Sequence, residues 1–500
     1  MAAFNQKFFN TGGPGDPRRH YLVPSVDRVP LLRQLVEDGV YFVLYGPVDS
    51  GKGTLARELV REIRQDGRFY ALYLDLREMG EILEPHVATV FFWELICDSL
   101  KQDRCQLLRS VRLEKPKKSP KALRGLLEKL AGSLDRPLVL LLDGVDSLSS
   151  SLQGSFLEEI QAGVRQSIPF PHCLGFLCAR ELKAKSSFSL ARELRLCNFS
   201  FADIGKLYDE HNVATGQPIE DAAKLRVWDW TEGQPWLVNA VISQAIDFTL
   251  HGELKKPISA QVIDEAAQSL LKERPSHFRH LLNSLKEPQV QKIVGEVLTG
   301  AHLKRPLFDE GAVMALELGL LSVDADDYLR PACKLYKELM LRVLTEHIVL
   351  PRSLKGSFTE DGVLLMSSLV QEFQKYWRKW ADIWLNPFRE IPGPLTRLAF
   401  QVFLGAALEN EVSIYHRIAI KSESVILTIN YRGKSYPVQL ALSTEYLNQV
   451  DEISAFMDKL GVLEGWLLSF DLSEVRSLEE KISWKTRTLS AGREIHLAGM

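Results

Sequence analysis

The chain has no apolar run long enough to cross a bilayer. Its opening stretch, MAAFNQKFFNTGGPGDPRRHY, has no apolar segment behind a basic start. Neither membrane spanning nor secretion is expected, and a cytoplasmic location follows as the expectation. Tight Cys-x-x-Cys pairs are missing too: the cysteines are Cys97, Cys105, Cys173, Cys178, Cys197 and Cys333, scattered over the whole length. That spacing excludes a disulfide framework and suits reduced thiols. Cys173 and Cys178 flank one apolar strand, too far apart and too short of partners to suggest a metal site. Charge of one sign is scarce, with a net of -3, so a broad non-specific nucleic-acid surface is disfavoured, while a local basic groove stays open. What is present is ordinary globular composition, 46% hydrophobic and 25% charged, in 500 residues, more than one core usually supports.

From Tyr41 to about Leu196, short apolar runs alternate with amphipathic stretches: YFVLY, FYALYLDL, LVLLLD, CLGFLCA and ELRL, separated by helical patterns. Fully apolar short runs between helices predict an α/β fold with a parallel sheet covered on both faces. The basic segment 112–125, with Lys115, Lys117, Lys118 and Lys121, interrupts the pattern and reads as a solvated loop. After Asn198 the 3.6 period takes over through FADIGKLYDEH, DAAKLRVWDW, GQPWLVNAVISQAI and SAQVIDEAAQSLLKE, which predicts a helical lid. Further helices with two short extended pieces, LGLLSVD and DYLRPA, suggest a winged-helix module. Long amphipathic helices then lead into SIYHRIAI, SVILTINY, SYPVQLAL and GWLLSF, with a hairpin at YRGKSY, as a small α/β tail. The expected boundaries are 1–198 for the sheet domain, 199–279 for the lid, 280–347 for the winged helix, 348–410 for a helical linker and 411–500 for the tail.

The stretch GPVDSGKGT behind YFVLY has P-loop spacing, Gly46-x4-Gly51-Lys52. Its glycines let amides converge on phosphate, the following helix start supplies positive potential, and Lys52 reaches the outer phosphates. Ser50, Gly53 and Thr54 complete the stretch. Where a hydroxyl on Mg²⁺ is expected directly after the lysine, the chain has Gly53, with Thr54 one residue later. Asp143 ends the apolar run LVLLLD and is placed to hold Mg²⁺ or its water shell. A water-orienting carboxylate would follow it, but the neighbour is Gly144, and Asp146 is the nearest substitute. Asp75 is a weaker candidate. Arg180, closing CLGFLCA, is a candidate γ-phosphate sensor against an ordinary surface arginine, and Gly233-Gln234-Pro235 opens a lid helix with Pro in a favoured position.

Together FNTGGPGDPRRHY, the P-loop, LLLDGVDSL, NFSFADIGKLYDEH, TEGQPWLVNA and LYKELMLRVLT resemble a bacterial family of AAA-like, STAND-related ATPases. In that family a domain of the PD-(D/E)XK nuclease fold follows the lid and winged helix. The resemblance implies phosphate binding by Gly46, Gly51, Lys52 and Thr54, metal by Asp143, γ-phosphate sensing by Arg180, and an adenine site near Pro235 flanked by His20 and Tyr21; the loop itself leaves Thr54 as a second metal candidate, directly or through water. The departures are Gly53 in the loop and Gly144 beside Asp143, which remove groups needed for hydrolysis. In the tail, Val425 or Ile426, Gln439 and Ala441 stand where that nuclease needs two carboxylates and a lysine. Alternating Val438, Leu440 and Leu442 still suit a strand.

These readings favour an ATP-binding, nucleotide-dependent switch with slow or no turnover and a tail without nuclease chemistry. The alternative is an active ATPase coupled to nucleic-acid processing or defence. A nucleotide-kinase loop shares Gly-Lys-Gly-Thr, but a lid and winged helix are not what such an enzyme needs. In a fourth reading the chain is a scaffold whose Trp377, Trp380 and Trp384 dock a partner, against a buried domain interface. Expected partners are ATP or ADP with Mg²⁺. A protein partner or homo-oligomer stays open, DNA is not indicated, and no membrane is expected.

Overall fold

The computed structural model describes residues 7–102, 111–119, 121–165, 169–179, 191–273, 275–299, 302–306, 309–345, 358–361, 363–385, 392–408, 413–418, 424–442, 447–471, 481 and 483–500. The chain divides into two compact units, Met1–Glu273 with Glu317–Gly319, and Arg274–Leu316 with Leu320–Met500. Among the described residues no helix is long and apolar enough to cross a membrane.

The first unit is built on five strands, β1 (Phe42–Tyr45), β2 (Tyr70–Asp75), β3 (Leu138–Asp143), β4 (Cys173–Cys178) and β5 (Arg192–Arg195). They form one parallel sheet in the order β2-β3-β4-β1-β5. Apolar residues in succession make both faces of the central strands bury. In β3, Leu138, Leu140 and Leu142 enter one core while Val139 and Leu141 enter the other. Gly175 in β4 leaves room for the Phe42 ring and Leu141 beside it, where a Cβ would meet Phe42 Cε2 at 2.6 Å. Strand β5 is mostly exposed and carries Arg192, Glu193 and Arg195, a charged edge that discourages further pairing. Cys173 and Cys178 are buried thiols within β4, and Cys173 Sγ donates to the Val40 carbonyl.

Helices then follow the sheet: Phe201–Thr215, Asp221–Thr231, Pro235–Gln244 with a π turn over Ala245–Thr249, and Ala260–Glu273. The first starts on a capping box, Ser200 accepting from the Asp203 amide while Asp203 accepts from the Ser200 amide. The amino-terminal segment packs against it. Phe9 and Tyr21 lie against each other with ring centroids 4.8 Å apart, and both rings meet His211 of that helix.

In the second unit, helices Ser276–Ser284, Pro288–Leu298 and Glu310–Glu317 precede the antiparallel pair β6 (Leu321–Val323) and β7 (Leu329–Pro331) and the helix Lys334–Leu344. A bridge from Lys304 to Tyr328 adds to the ribbon. Two further short strands, β8 (Thr359–Glu360) and β9 (Val363–Leu364), introduce the helices Met366–Leu385 and Pro392–Ala407. A six-stranded sheet closes the unit: β10 (Ser413–Ile418), β11 (Ser424–Tyr431), β12 (Lys434–Ala441), β13 (Glu464–Ser469), β14 (Ser483–Thr488) and β15 (Glu494–Gly499), with the helix Leu447–Leu460 after β12. Its order is β10-β11-β12-β13-β15-β14, antiparallel at the ends and parallel from β12 through β15.

The hairpin between β11 and β12 has a two-residue turn, Arg432 at φ 46° and Gly433 at φ 81°, the pair of positive values that a type I′ turn needs. Strands β14 and β15 are additions to the expected pattern. The first is a largely exposed edge of polar residues, and the second, EIHLAG, is too mixed to declare its period. Of the tryptophans on one helix, Trp377 is buried against Phe470 at 4.9 Å between centroids, so it serves its own unit's core. Trp380 lies under the Lys379 ammonium, and the Trp384 side chain lies outside the described residues.

Candidate phosphate-binding site

The loop after β1 turns sharply twice. Asp49 takes φ 57° and Gly51 takes φ 88°, and helix Lys52–Asp66 starts directly behind. A helix start leaves its first N–H groups without intrahelical acceptors, a geometry suited to cradling an anion. A Cβ on Gly46 would meet Ser50 Oγ at 2.8 Å and the Leu196 side chain at 3.2 Å, so the cradle closes only on glycine. Ser50 Oγ is buried and has no hydrogen-bond partner, a polar group left over for a ligand.

Lys52 is buried, and its Nζ donates to the carbonyls of Gly46 at 2.7 Å and Pro47 at 2.8 Å, within its own loop. Burial lowers its affinity for the proton, while Asp143, Asp146 and Asp49 act in the opposite sense. Arg28 braces the loop from outside: its guanidinium donates to the carbonyls of Ser50 and Cys197 and lies over the Phe199 ring at 4.9 Å. Burial pulls Arg28 down to about 10. Its role was not legible in the sequence, because the residues it joins lie far apart in the chain.

Thr54 faces the amino-terminal segment. Its Oγ1 accepts from the Gly15 amide at 2.8 Å. A Cβ on Gly53 would meet Asp143 Oδ2 at 3.2 Å and the Tyr73 hydroxyl at 3.3 Å, so the position after the lysine does border the carboxylate. Asp143 is buried and accepts from the Tyr73 hydroxyl at 2.6 Å. Burial raises its carboxyl above the usual range, opposed by the Tyr73 hydrogen bond and by Arg77. Burial and Asp143 likewise raise the Tyr73 phenol, which holds it protonated as the donor. Arg57 covers the Tyr73 ring at 4.6 Å.

Gly144, where a water-orienting carboxylate would stand, takes φ 80°, and a Cβ there would meet Arg77 Cγ at 2.5 Å. Arg77 is itself paired with Asp75, through its backbone amide at 3.1 Å and its guanidinium. Burial works to raise the Asp75 carboxyl, but the bonds to Arg77 outweigh it and hold it low. Asp146 Oδ2 accepts from the Ala179 amide at 3.0 Å, which ties it to the end of β4. Among the described residues no group of three or more His, Cys, Asp or Glu gathers to hold a metal ion. Gly53 offers no side-chain ligand, and the two side chains expected at Mg²⁺ each accept a hydrogen bond in this arrangement, Thr54 from the Gly15 amide and Asp143 from the Tyr73 hydroxyl. Arg180 lies outside the described residues.

The Gly-Gln-Pro stretch joins the lid to the loop. Gly233, at φ 74°, abuts Phe199, whose amide donates to the Gly233 carbonyl at 2.8 Å. Gln234 caps the helix that Pro235 opens, its Oε1 accepting from the Leu237 amide, and its Nε2 donates to the Asp49 carbonyl at 3.3 Å. Trp236 Nε1 donates to the Thr11 carbonyl at 2.9 Å. Pro235 is buried at the helix start. His20 and Tyr21 are turned inward: His20 Nδ1 accepts from the Asp16 amide at 2.8 Å, and Tyr21 is 1% exposed with its hydroxyl 3.3 Å from His211 Nδ1.

Strand, phosphate loop and helix on a parallel sheet define an α/β nucleotide-fold core in the first unit. No protein-family model matches this chain, and no curated protein matches it. Solved structures do. The chain is similar to a Walker-type ATPase of Pyrococcus abyssi, at 12% identity and TM-score 0.47, over 66% of this chain and 99% of that one. It is also similar to the ORC1 protein of Aeropyrum pernix in complex with DNA, at 14% identity and TM-score 0.36, over 64% and 93%. A third is the RuvB Holliday junction branch migration motor of Thermotoga maritima, at 16% and 0.35, over 63% and 92%.

Proposed function

We propose that the chain binds ATP or ADP at the Gly46–Thr54 loop and works as a nucleotide-dependent conformational switch with little or no hydrolysis. The observation that carries this reading is an asymmetry within one site. The cradle keeps Gly46, Gly51, buried Lys52 and the orphaned Ser50 hydroxyl, while both side chains that would drive hydrolysis are replaced by Gly53 and Gly144. Lys52 would release the Gly46 and Pro47 carbonyls and take phosphate oxygens instead, an exchange that favours the ligand because a charge-assisted bond to phosphate is stronger than one to a neutral carbonyl. The Gln234 bond to the Asp49 carbonyl gives that change a route into the lid.

The helices and β6–β7 ribbon of the second unit support a winged-helix reading, and the six-stranded mixed sheet supports a nuclease-like tail without its metal chemistry. In that sheet Ile426 and Gln439 stand opposite each other across β11 and β12, and Gln439 Nε2 donates to Glu452 at 3.0 Å. Isothermal calorimetry of the full chain with ATP and with ADP, beside release of labelled phosphate, tests the proposal. Heat of binding with negligible phosphate release is expected, and Lys52→Ala should weaken binding by about tenfold or more, the loss of one charge-assisted contact. Appreciable release that disappears in Lys52→Ala would instead establish an active ATPase.

A further inference from the structure

We infer that Tyr73 takes over the ion-binding position of this phosphate site, so that the nucleotide is held without a protein-ligated Mg²⁺. The inference rests on the nucleotide reading above and deepens it. Two observations converge on one small volume, and a third engages the next hydroxyl in the chain elsewhere. The Tyr73 hydroxyl lies 2.6 Å from Asp143 Oδ2 and donates to it. The same hydroxyl would be 3.3 Å from a Cβ at residue 53, the position from which a hydroxyl would ligate the ion. The neighbouring hydroxyl, on Thr54, is held by the Gly15 amide.

Tyr73 and Gly53 therefore fit each other. A serine or threonine at 53 would crowd both the phenol and the carboxylate, because a Cβ contact of 3.2 to 3.3 Å is already tight before a hydroxyl is added. A neutral hydroxyl donor satisfies the buried Asp143 carboxylate without bringing in a further full charge, which is one way to keep such a group in place when no metal ion neutralises it. The ring is fixed from two directions, by packing on the core of its sheet face and by the Arg57 guanidinium over it. Tyr73 reaches this spot because it sits two residues before the carboxyl end of β2, in register with Leu141 of β3, while Asp143 ends β3 opposite Asp75.

The test is calorimetry of the full chain with ATP and with ADP, in excess EDTA and in excess MgCl₂. The wild-type protein should bind each nucleotide with affinities that agree within about threefold between the two conditions. Tyr73→Phe keeps the ring, its packing and the contact with Arg57 but frees Asp143. It should become dependent on Mg²⁺, binding ATP at least about tenfold tighter with the ion, and Tyr73→Phe combined with Gly53→Ser should strengthen that dependence. Circular dichroism and melting of each variant confirm that it is folded. Wild-type binding that needs Mg²⁺ overturns the inference and leaves the nucleotide reading standing. So does a folded Tyr73→Phe that stays indifferent to the ion. Failure of the wild type to bind either nucleotide in both conditions defeats the nucleotide reading itself.

Discussion

The two large sheets of this chain treat polar residues in opposite ways. In the parallel sheet of the first unit, polar groups collect at the carboxyl ends of the strands and are bound to each other: Asp143 to Tyr73, Asp75 to Arg77, Asp146 to the end of β4. In the mixed sheet of the second unit, the middle of β12 is apolar except for Gln439, which reaches Glu452 of the next helix. A sheet core needs only the second arrangement. Leaving a carboxylate such as Asp143 in a desolvated place opposes folding unless partners offset it, and here the Tyr73 hydroxyl and Arg77 do so. The comparison separates a polar cluster at the strand ends of the first unit from an apolar sheet core in the second.

The difference extends to the backbone, and the largest expected effect sharpens it there. Gly233 and Gly433 both take positive φ, but a Cβ on Gly233 would run into the Phe199 carbonyl, while one on Gly433 would meet nothing within 4 Å. Gly233→Ala should destabilise the first unit by about 3 kcal/mol or more, strain and overpacking together. Gly433→Ala should cost only the left-handed penalty, about 1–2 kcal/mol, confined to the second unit. Urea unfolding read by tryptophan fluorescence and by limited proteolysis separates the two. Equal effects would show that the close approach of Gly233 to Phe199 is unimportant.

The smallest effect concerns pH. His20 is lowered from its ordinary 6.5, by burial first and by Arg19 second, with Asp16 opposing, and His211 is lowered by burial. The folded state therefore prefers both imidazoles neutral. Their contribution is complete above pH 6.5 and is lost as the pH falls through the lower folded-state values. His20→Asn keeps an acceptor where Nδ1 takes the Asp16 amide and removes the titration. It should flatten the fall in melting temperature on acidification, leaving the part that His211 supplies. An unchanged slope would remove His20 from the account.

Much of the first unit was legible because its code is local. Short apolar runs such as LVLLLD, bounded by turn residues and alternating with helices, fit strands buried on both faces, and a glycine-rich stretch between strand and helix has few other uses. The hairpin at Arg432 and Gly433 was legible for the same reason. What the sequence did not disclose depends on contacts between distant positions: Tyr73 over Asp143, Arg77 over Gly144, Arg28 under the loop, and Gly15 on Thr54. A tyrosine in an apolar strand looks like core filling, and only the register of β2 against β3 brings its hydroxyl to the carboxylate. Strand β15 escaped notice because its mixed composition declares no period and its place between β13 and β14 is set by those neighbours.

The bond from the Gly15 amide to Thr54 carries a practical lesson for anyone who trims or tags this protein. What looks like a dispensable leader is stitched to the opening turn of the helix behind the phosphate cradle, and through Trp236 and Thr11 to the lid as well. Shortening the chain past that glycine would undo both stitches at once, and a bulky fusion placed beside them would report on its own interference instead of on the native molecule.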